Sequence, residues 1–185
     1  MTEKTTSMYV IETARLGFRP WCDDDAEVLF RYASHPEVGP RAGWPPHKSV
    51  EESREIIRTL FSGDHMWALV LKTSGEPIGC MGYLAYGESN ITIGENDAEP
   101  GYWIARPYWN QGLCTEALQA LVDYCFRVKG FATLWSDFFV DNPASGRVQE
   151  KCGFRDTGRV SILSHLYGGS NRQVRVMRLD NPSAR

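Results

Sequence analysis

The spacing of apolar residues along the chain predicts a mixed series of strands and helices. Alternating or short apolar runs predict strands at 9–21, 66–72, 78–86, 101–105, 133–140, 160–167 and 173–179. Apolar residues at helical spacing predict helices within 23–33, 49–61, 114–129 and 142–152. Between them, the Pro- and Gly-rich segment 35–48 predicts a long loop that contains no regular helix, and 88–99 predicts a polar loop.

The order of these elements is strand, two helices, three strands, helix, strand, helix and two strands. This order is typical of a mixed α/β domain whose first half is mostly antiparallel. The length of 185 residues fits one domain. We therefore expect residues 1–185 to form a single domain with a core at about 9–180.

Charge and composition exclude several classes of partner. The net charge is −3 and the pI is near 5.8, so we expect no nucleic-acid partner. Without an apolar run of about 18 residues or an apolar N-terminal segment, we expect no membrane contact and a cytoplasmic location. The five cysteines are odd in number and lack CxxC spacing, which favours reduced thiols and no metal site. The oligomeric state stays open between a monomer and a homodimer.

The junction 108–116, between a strand and an amphipathic helix, is the most informative segment. The first N–H groups of a helix lack partners, and together with the helix dipole they can hold a phosphate or pyrophosphate. Gly112 removes the Cβ that would block the approach, and the Thr115 hydroxyl can donate one more hydrogen bond. No P-loop or dinucleotide-binding pattern is present. A simple tight turn at Gly112 is the alternative interpretation.

Two motifs resemble those of GNAT N-acetyltransferases. Residues 99–104 with 107–117 resemble the acetyl-CoA motif of the family, and 142–145 with 148–154 resemble its second signature. The opening residues 13–20 are similar to the start of the ribosomal-protein N-acetyltransferase branch. The resemblance covers about 9–180. It implies a GNAT-like α+β fold: a mixed sheet of about seven strands, flanked by about four helices, with a V-shaped splay between strands four and five, here 101–105 and 133–140.

The resemblance also implies a cofactor site, with acetyl-CoA as the donor and CoA as the product. The pyrophosphate would lie on the amides of 110–115, and the pantetheine arm would pair with the fourth strand. The implied cofactor-binding residues are Trp103, Ile104, Trp109, Asn110, Gln111, Gly112, Leu113, Cys114, Thr115, Asn142 and Ser145. Two positions depart from the wider superfamily. Trp109 stands where Gln or Arg is usual, although Trp is usual in this branch, and Cys114 stands where Gly or Ala is frequent.

The implied reaction is direct transfer of an acetyl group to a primary amine. The amine must lose a proton before it attacks, which requires a base. Glu99, placed at the entrance of the fourth strand, is the first candidate base and His165 is the second. Ser145 matches the family position near the cofactor sulfur and is the candidate acid, since no Tyr occurs at 148–151. Asp137 is interpreted as a polar residue at a sheet edge.

The acceptor is an amine of either of two kinds: a protein N-terminus, or a small molecule such as a polyamine. The loop around Trp44 and the final hairpin near His165 are expected to form the walls of its site. Two alternatives remain, since a fold does not decide a function. The chain could be a catalytically inactive CoA-binding sensor, or an interaction module that binds no CoA.

Overall fold

One open sheet of eight strands runs through this computed structural model, which describes residues 8–163 and 171–184. The strands are β1 (Ile11–Glu12), β2 (Leu16–Arg19), β3 (Met66–Leu71), β4 (Glu76–Ala85), β5 (Asp97–Ile104), β6 (Thr133–Phe139), β7 (Arg155–Leu163) and β8 (Arg172–Asp180). The α-helices are α1 (Ala26–Ala33), α2 (Val38–Ala42), α3 (Val50–Thr59), α4 (Leu113–Tyr124) and α5 (Pro143–Lys151). The strand order is β1-β2-β3-β4-β5-β6-β8-β7.

The sheet opens at its one parallel contact in the described chain. β5 and β6 pair only through Asp97 with Thr133 and Ala98 with Leu134, while the other neighbouring strands pair antiparallel. β5 continues for six residues beyond Ala98 along β4, and β6 turns to β8. The predicted fold class and the splay between these two strands are therefore confirmed.

The opening segment forms two strands rather than one, which brings the sheet to eight. β1 and β2 pair antiparallel, with Ile11 opposite Phe18. The turn between them is held by Thr13, whose Oγ1 accepts a hydrogen bond of 2.9 Å from the N–H of Leu16. β1 is two residues long, and no alternation can be read from so short a strand.

The prediction that segment 35–48 contains no regular helix is wrong. α2 occupies Val38–Ala42, and Pro40 is its third residue. The N–H groups of the first helical turn have no intrahelical partner, so the missing N–H of a proline costs nothing there. Gly43 ends the helix in the left-handed conformation, with φ 94°. The described chain thus has one α-helix more than predicted, and this additional helix, α2, is a short one within the expected loop.

Helices cover both faces of the sheet. α4 and α5 pack on one face through a cluster that includes the fully buried Leu118 and Leu121. α1, α2 and α3 pack on the other face around Leu29 and Ile57. α3 begins with a side-chain cap, since the Oγ of Ser49 accepts from the N–H of Glu52 at 3.1 Å.

The starts of β5 and β7 differ from the prediction by several residues. β5 begins at Asp97, so the polar loop ends before 97 and Glu99 lies inside the strand rather than at its entrance. β7 begins at Arg155, five residues earlier than expected, and pairs with β8 as the predicted final hairpin. His165 and the glycines at 168–169 lie outside the described residues. Within the described ranges no helix has the length and apolar character to cross a membrane, and the five cysteines are free.

Candidate functional site

A cleft of about 330 Å³ opens where β5 and β6 diverge. Its walls come from α2, the end of β5, the junction 105–112, the first turn of α4 and one side of α5. The cleft brings together all but one of the predicted cofactor-binding residues: Trp103, Ile104, Trp109, Asn110, Gly112, Leu113, Cys114, Thr115, Asn142 and Ser145. The exception is Gln111, whose side chain turns back and donates to the carbonyl of Pro107 at 2.9 Å.

The junction before α4 presents a run of free backbone N–H groups. Asn110 and Gly112 both have positive φ, at 60° and 74°. The first backbone hydrogen bond of the helix runs from the N–H of Glu116 to the carbonyl of Gly112 at 3.0 Å. In the described structure, no hydrogen bond is donated by the backbone N–H groups of residues 110–115. Consecutive amides at a helix start form a concave site for an anion.

The β1–β2 turn fixes the shape of this junction. Glu116 accepts hydrogen bonds from Thr13 Oγ1 at 2.6 Å and from Arg15 Nε at 2.6 Å. Arg15 also donates from Nη1 to the carbonyl of Gln111 at 3.0 Å. Burial alone would raise the pKa of Glu116, but the hydrogen bonds from Thr13 and Arg15 outweigh it and hold that pKa below its usual range. The opening residues 13–16 thus hold the anion-binding junction in place.

Basic side chains surround the cleft, and the sequence analysis did not select them. Arg41 from α2 and Arg147 and Lys151 from α5 line it. Arg147 and Lys151 are four residues apart, so they share one helix face, and this spacing was the available signal. Trp109 donates from Nε1 to the carbonyl of Ile104 at 2.7 Å, and its ring lies 5.1 Å from the Arg41 guanidinium. These cations suit a ligand that carries several phosphates.

Ser145 lies in the cleft beside a residue that the sequence analysis passed over. The hydroxyl oxygen of Tyr102, on β5, is 3.0 Å from the Oγ of Ser145. No tyrosine occurs at 148–151 on α5, but Tyr102 reaches Ser145 from the strand β5. Burial is the first cause that raises the pKa of Tyr102, and the nearby Cys114 adds to it. The Tyr102 hydroxyl therefore stays protonated.

Cys114 is accommodated in the cleft wall without acting as a reactive thiolate. Burial raises the pKa of its thiol to about 12, and the nearby Cys152 adds to the rise. A thiol with this pKa is protonated at neutral pH, and only the thiolate is a strong nucleophile.

Two buried carboxylates occupy the opposite face of the splayed strands. Glu99 is 4% exposed, and its Oε2 accepts from Ser89 Oγ and from the N–H of Asn90, both at 2.7 Å. Burial raises the pKa of Glu99, although these hydrogen bonds act to lower that pKa. Asp137 lies on β6, and its Oδ2 is buried with no hydrogen-bond partner among residues 8–163 and 171–184. Burial, and after it the charge of Glu99, raises the pKa of Asp137 to about 7.

Asp137 lies on the part of β6 that has separated from β5, so it has the expected edge position on that side, but its carboxylate is buried. β6 is an inner strand between β5 and β8. Side chains alternate along a strand, so Asp137 shares a face with Trp135 and Glu99 shares a face with Asp97. Trp135 Nε1 donates to Asp97 at 2.8 Å, which places both pairs on the same face. The two carboxylates therefore face a common region beside the splay.

The helix α2 lies across the cleft from β5 to the far strands. Asn142 donates from Nδ2 to the carbonyl of Arg41 at 3.1 Å, and Arg172 donates to the carbonyl of Pro40 at 2.5 Å. Trp44, which follows α2, packs edge-on against Trp103 with ring centroids 5.7 Å apart. The expected wall near Trp44 is thus built by α2 and the residues after it, while His165 lies outside the described part of the chain.

These features define a class of protein. A mixed sheet opens between two parallel strands, and a helix start with free N–H groups and a serine hydroxyl line the opening. The family model for the acetyltransferase (GNAT) domain matches residues 15–155. The chain therefore belongs to the GNAT acetyltransferase family.

The relatives agree with this assignment. The chain is 30% identical over 154 residues to the uncharacterized N-acetyltransferase YoaA of Bacillus subtilis, which covers 80% of this chain and 84% of that protein. It is 26% identical over 141 residues to the ribosomal-protein-serine acetyltransferase of Escherichia coli, which covers 72% and 76%. A GNAT-family acetyltransferase structure from Bacillus anthracis has the same fold, with a TM-score of 0.78 and 22% identity over 92% of this chain and 98% of that one.

Proposed function

We propose that this protein transfers the acetyl group of acetyl-CoA to a primary amine. The observation that carries the proposal is the run of unpaired N–H groups at 110–115 inside the cleft. A pyrophosphate offers oxygen acceptors in a row, which matches consecutive amide donors at a helix start. The basic residues at the cleft mouth add favourable electrostatics for a ligand with several negative charges.

The residues present fit the cofactor along its length. The amides of 110–115 would hold the pyrophosphate, and Asn142 would lie beside the arm. The carbonyls of Pro100 and Ile104 accept from Ser136 and Trp109, so both point toward the splay. By strand alternation the backbone of Tyr102 points the same way and is available to the pantetheine amides. Trp103 would contribute its indole ring to the wall. When bound, acetyl-CoA supplies an acetyl group activated as a thioester.

The transfer forms one bond and breaks one bond. The amine nitrogen forms a bond to the carbonyl carbon, the C–S bond breaks, and CoA leaves as a thiolate. Ser145 acts as the acid, since its hydroxyl gives a proton to the sulfur and recovers one from water. An acceptor that arrives as an ammonium ion loses one proton before the attack and a second one after it. The carboxylate pair of Glu99 and Asp137 accepts these protons in turn and releases them to water, from which Ser145 recovers one. A carboxylate whose pKa lies near 7 is suited to accept a proton at neutral pH.

The acceptor is a primary amine, either a protein N-terminus or a small molecule such as a polyamine. The buried carboxylates support an acceptor that arrives as a cation, because the ionised carboxylate of the pair attracts an ammonium group. The relative from Escherichia coli is named for a ribosomal-protein serine, which puts an N-terminal serine peptide first among the candidates to be tested.

Calorimetry with acetyl-CoA, CoA and ATP tests the cofactor. We expect micromolar binding of acetyl-CoA and CoA and none of ATP. Release of the CoA thiol is then followed with spermidine, with an N-terminal serine peptide and with an N-terminal alanine peptide. Binding of CoA without release above the rate with water would favour a CoA-binding sensor. No binding of acetyl-CoA or CoA would favour an interaction module and contradict the proposal.

A further inference from the structure

Three side chains form a hydrogen-bonded chain that ends in the cleft. Gln149 is fully buried on α5, and its Nε2 lies 2.7 Å from the backbone carbonyl of Asp137 and 3.2 Å from the hydroxyl of Tyr102. The Tyr102 hydroxyl lies 3.0 Å from Ser145 Oγ and 3.3 Å from the Ser145 carbonyl. Of these groups, Tyr102 and Ser145 line the cleft. The chain therefore leads from the interior to the proposed position of the sulfur.

The direction of this chain is fixed by its buried end. A backbone carbonyl can only accept a hydrogen bond, so the atom of Gln149 that faces Asp137 must be the nitrogen. That nitrogen has a second hydrogen, which it donates to the Tyr102 oxygen. Tyr102 in turn must donate its own hydrogen, and the acceptors within reach are both on Ser145. Because burial keeps Tyr102 protonated, it remains a donor at neutral pH.

Ser145 Oγ is the nearer of these two acceptors, at 3.0 Å against 3.3 Å for the Ser145 carbonyl oxygen. When this oxygen accepts from Tyr102, its own hydrogen must point elsewhere, and the open direction is the cleft. We propose that Tyr102, held by Gln149, is a positioning residue that aims the Ser145 hydroxyl hydrogen at the departing sulfur of CoA. This inference rests on the proposed function, and it adds two residues that neither motif of the sequence had assigned to the chemistry.

The alternative is that the Tyr102 hydroxyl only completes the packing of α5 against β5. The two explanations differ in what the loss of one oxygen atom changes. Under the packing explanation, Tyr102→Phe lowers the thermal stability and leaves the chemistry of the bound thiol intact. Under the positioning explanation, it changes the ionisation of the bound thiol and the turnover while the affinity for acetyl-CoA stays the same.

The first test measures the ionisation of bound CoA and needs no acceptor. The protein saturated with CoA is titrated with base, and the absorbance of the thiolate is followed in wild type, Tyr102→Phe, Gln149→Leu and Ser145→Ala. A hydrogen bond donated to the sulfur favours the thiolate, so we expect all three variants to need a higher pH for ionisation. The control is Tyr83→Phe, a buried tyrosine of the core on β4, which should titrate as wild type does.

The second test separates turnover from binding. We expect Tyr102→Phe to lower kcat by about 10- to 100-fold with the KM for acetyl-CoA within about two-fold of wild type. The double variant Tyr102→Phe/Ser145→Ala should be no slower than Ser145→Ala, because both changes remove the same hydrogen bond. Wild type that fails to bind CoA overturns the proposed function itself. Wild type that binds CoA, with Tyr102→Phe unchanged in thiol ionisation, overturns the positioning role alone.

Discussion

Arg15 lies about 100 residues before the junction that precedes α4 and bonds to two of its residues, Gln111 and Glu116. Its Nε donates to Glu116 at 2.6 Å and its Nη1 donates to the carbonyl of Gln111 at 3.0 Å. With that carbonyl held by Arg15, the N–H groups that follow are left free in the cleft. The hydrogen bonds of Arg15 and Glu116 thus stabilise the conformation of the junction. In the proposed complex the ligand would be contacted by the backbone amides and not by these two side chains.

Arg15→Met tests this relationship. The variant removes both hydrogen bonds, so the junction gains freedom that CoA binding must then restrict. We expect the affinity for CoA to fall by about 5- to 30-fold, which corresponds to about 1–2 kcal/mol. The control is Arg58→Met, which breaks the surface ion pair with Asp23 far from the cleft. Equal CoA affinity in both variants by calorimetry would show that Arg15 does not support the site.

Gly112→Val tests the backbone approach at the junction. Gly112 has φ 74°, so a Cβ adds strain of about 1–2 kcal/mol and also projects beside the proposed pyrophosphate. Gly158→Val is a matched control, since Gly158 has the same φ of 74° and open space around it on β7. We expect similar losses of thermal stability in both variants, and a loss of CoA affinity of at least about 10-fold in Gly112→Val alone. Unchanged affinity there would make Gly112 a turn residue only.

Ser145→Ala tests the acid on the leaving sulfur. The variant keeps the helix and removes the hydroxyl that faces the cleft. We expect turnover to fall by roughly 10²–10⁴ while the affinity for acetyl-CoA is spared. Ser62→Ala serves as the control, because the Ser62 hydroxyl caps the end of α3 outside the cleft. A near-normal rate in Ser145→Ala would exclude the serine as the acid.

Asp137→Asn should make the protein more stable and less active. The folded protein raises the pKa of Asp137 to about 7, so this carboxyl favours folding when protonated and loses that contribution as the pH rises from about 4 to about 7. The variant removes this loss, and its gain in the free energy of unfolding should reach about 2–4 kcal/mol at pH 8. Denaturant unfolding at pH 5 and pH 8 measures the gain. The control Asp24→Asn makes the same change in net charge on the surface.

The same carboxylate should appear in the pH profile of the reaction. We expect kcat of wild type to rise with pH around 7 and this rise to be absent in Asp137→Asn, with a rate lower by roughly 10²-fold. The negative charge of Glu99 helps to raise the pKa of Asp137, so Glu99→Gln should move the rise to lower pH. A profile that is the same in wild type and Asp137→Asn would remove Asp137 from the proton transfer.

The position of the junction 108–116 between a strand and a helix could be predicted because the junction is local. A strand, a glycine and an amphipathic helix follow one another directly, and the geometry of a helix start depends on neighbouring residues. The splay of the sheet was expected only from the family motifs, and the structure confirms it in the two-residue pairing of β5 with β6. The short helix α2 was not predicted, because a proline within a helix is usually unfavourable. Pro40 lies in the first helical turn, where its missing N–H costs nothing.

The remaining site residues could not be predicted, because they meet through the sheet. Tyr102 and Gln149 are 47 residues apart, and only the packing of α5 on the splayed strands places them within a hydrogen bond. The local sequence pattern of β6 does not show which strands lie beside it, so it could not show that Asp137 is buried. Its burial follows from β8 pairing along β6 on the side away from β5, which is a long-range property.

The two-pair contact between β5 and β6 has a consequence for how the molecule behaves as a whole. An open gap in a sheet leaves backbone groups without a partner strand, and the pantetheine amides are of the right kind to supply one. The sheet would then lack inter-strand hydrogen bonds between β5 and β6, and the bound substrate would supply hydrogen bonds in their place. Each turnover would fill and empty that gap. The two halves of the sheet would therefore be held together by the fewest hydrogen bonds after CoA has left.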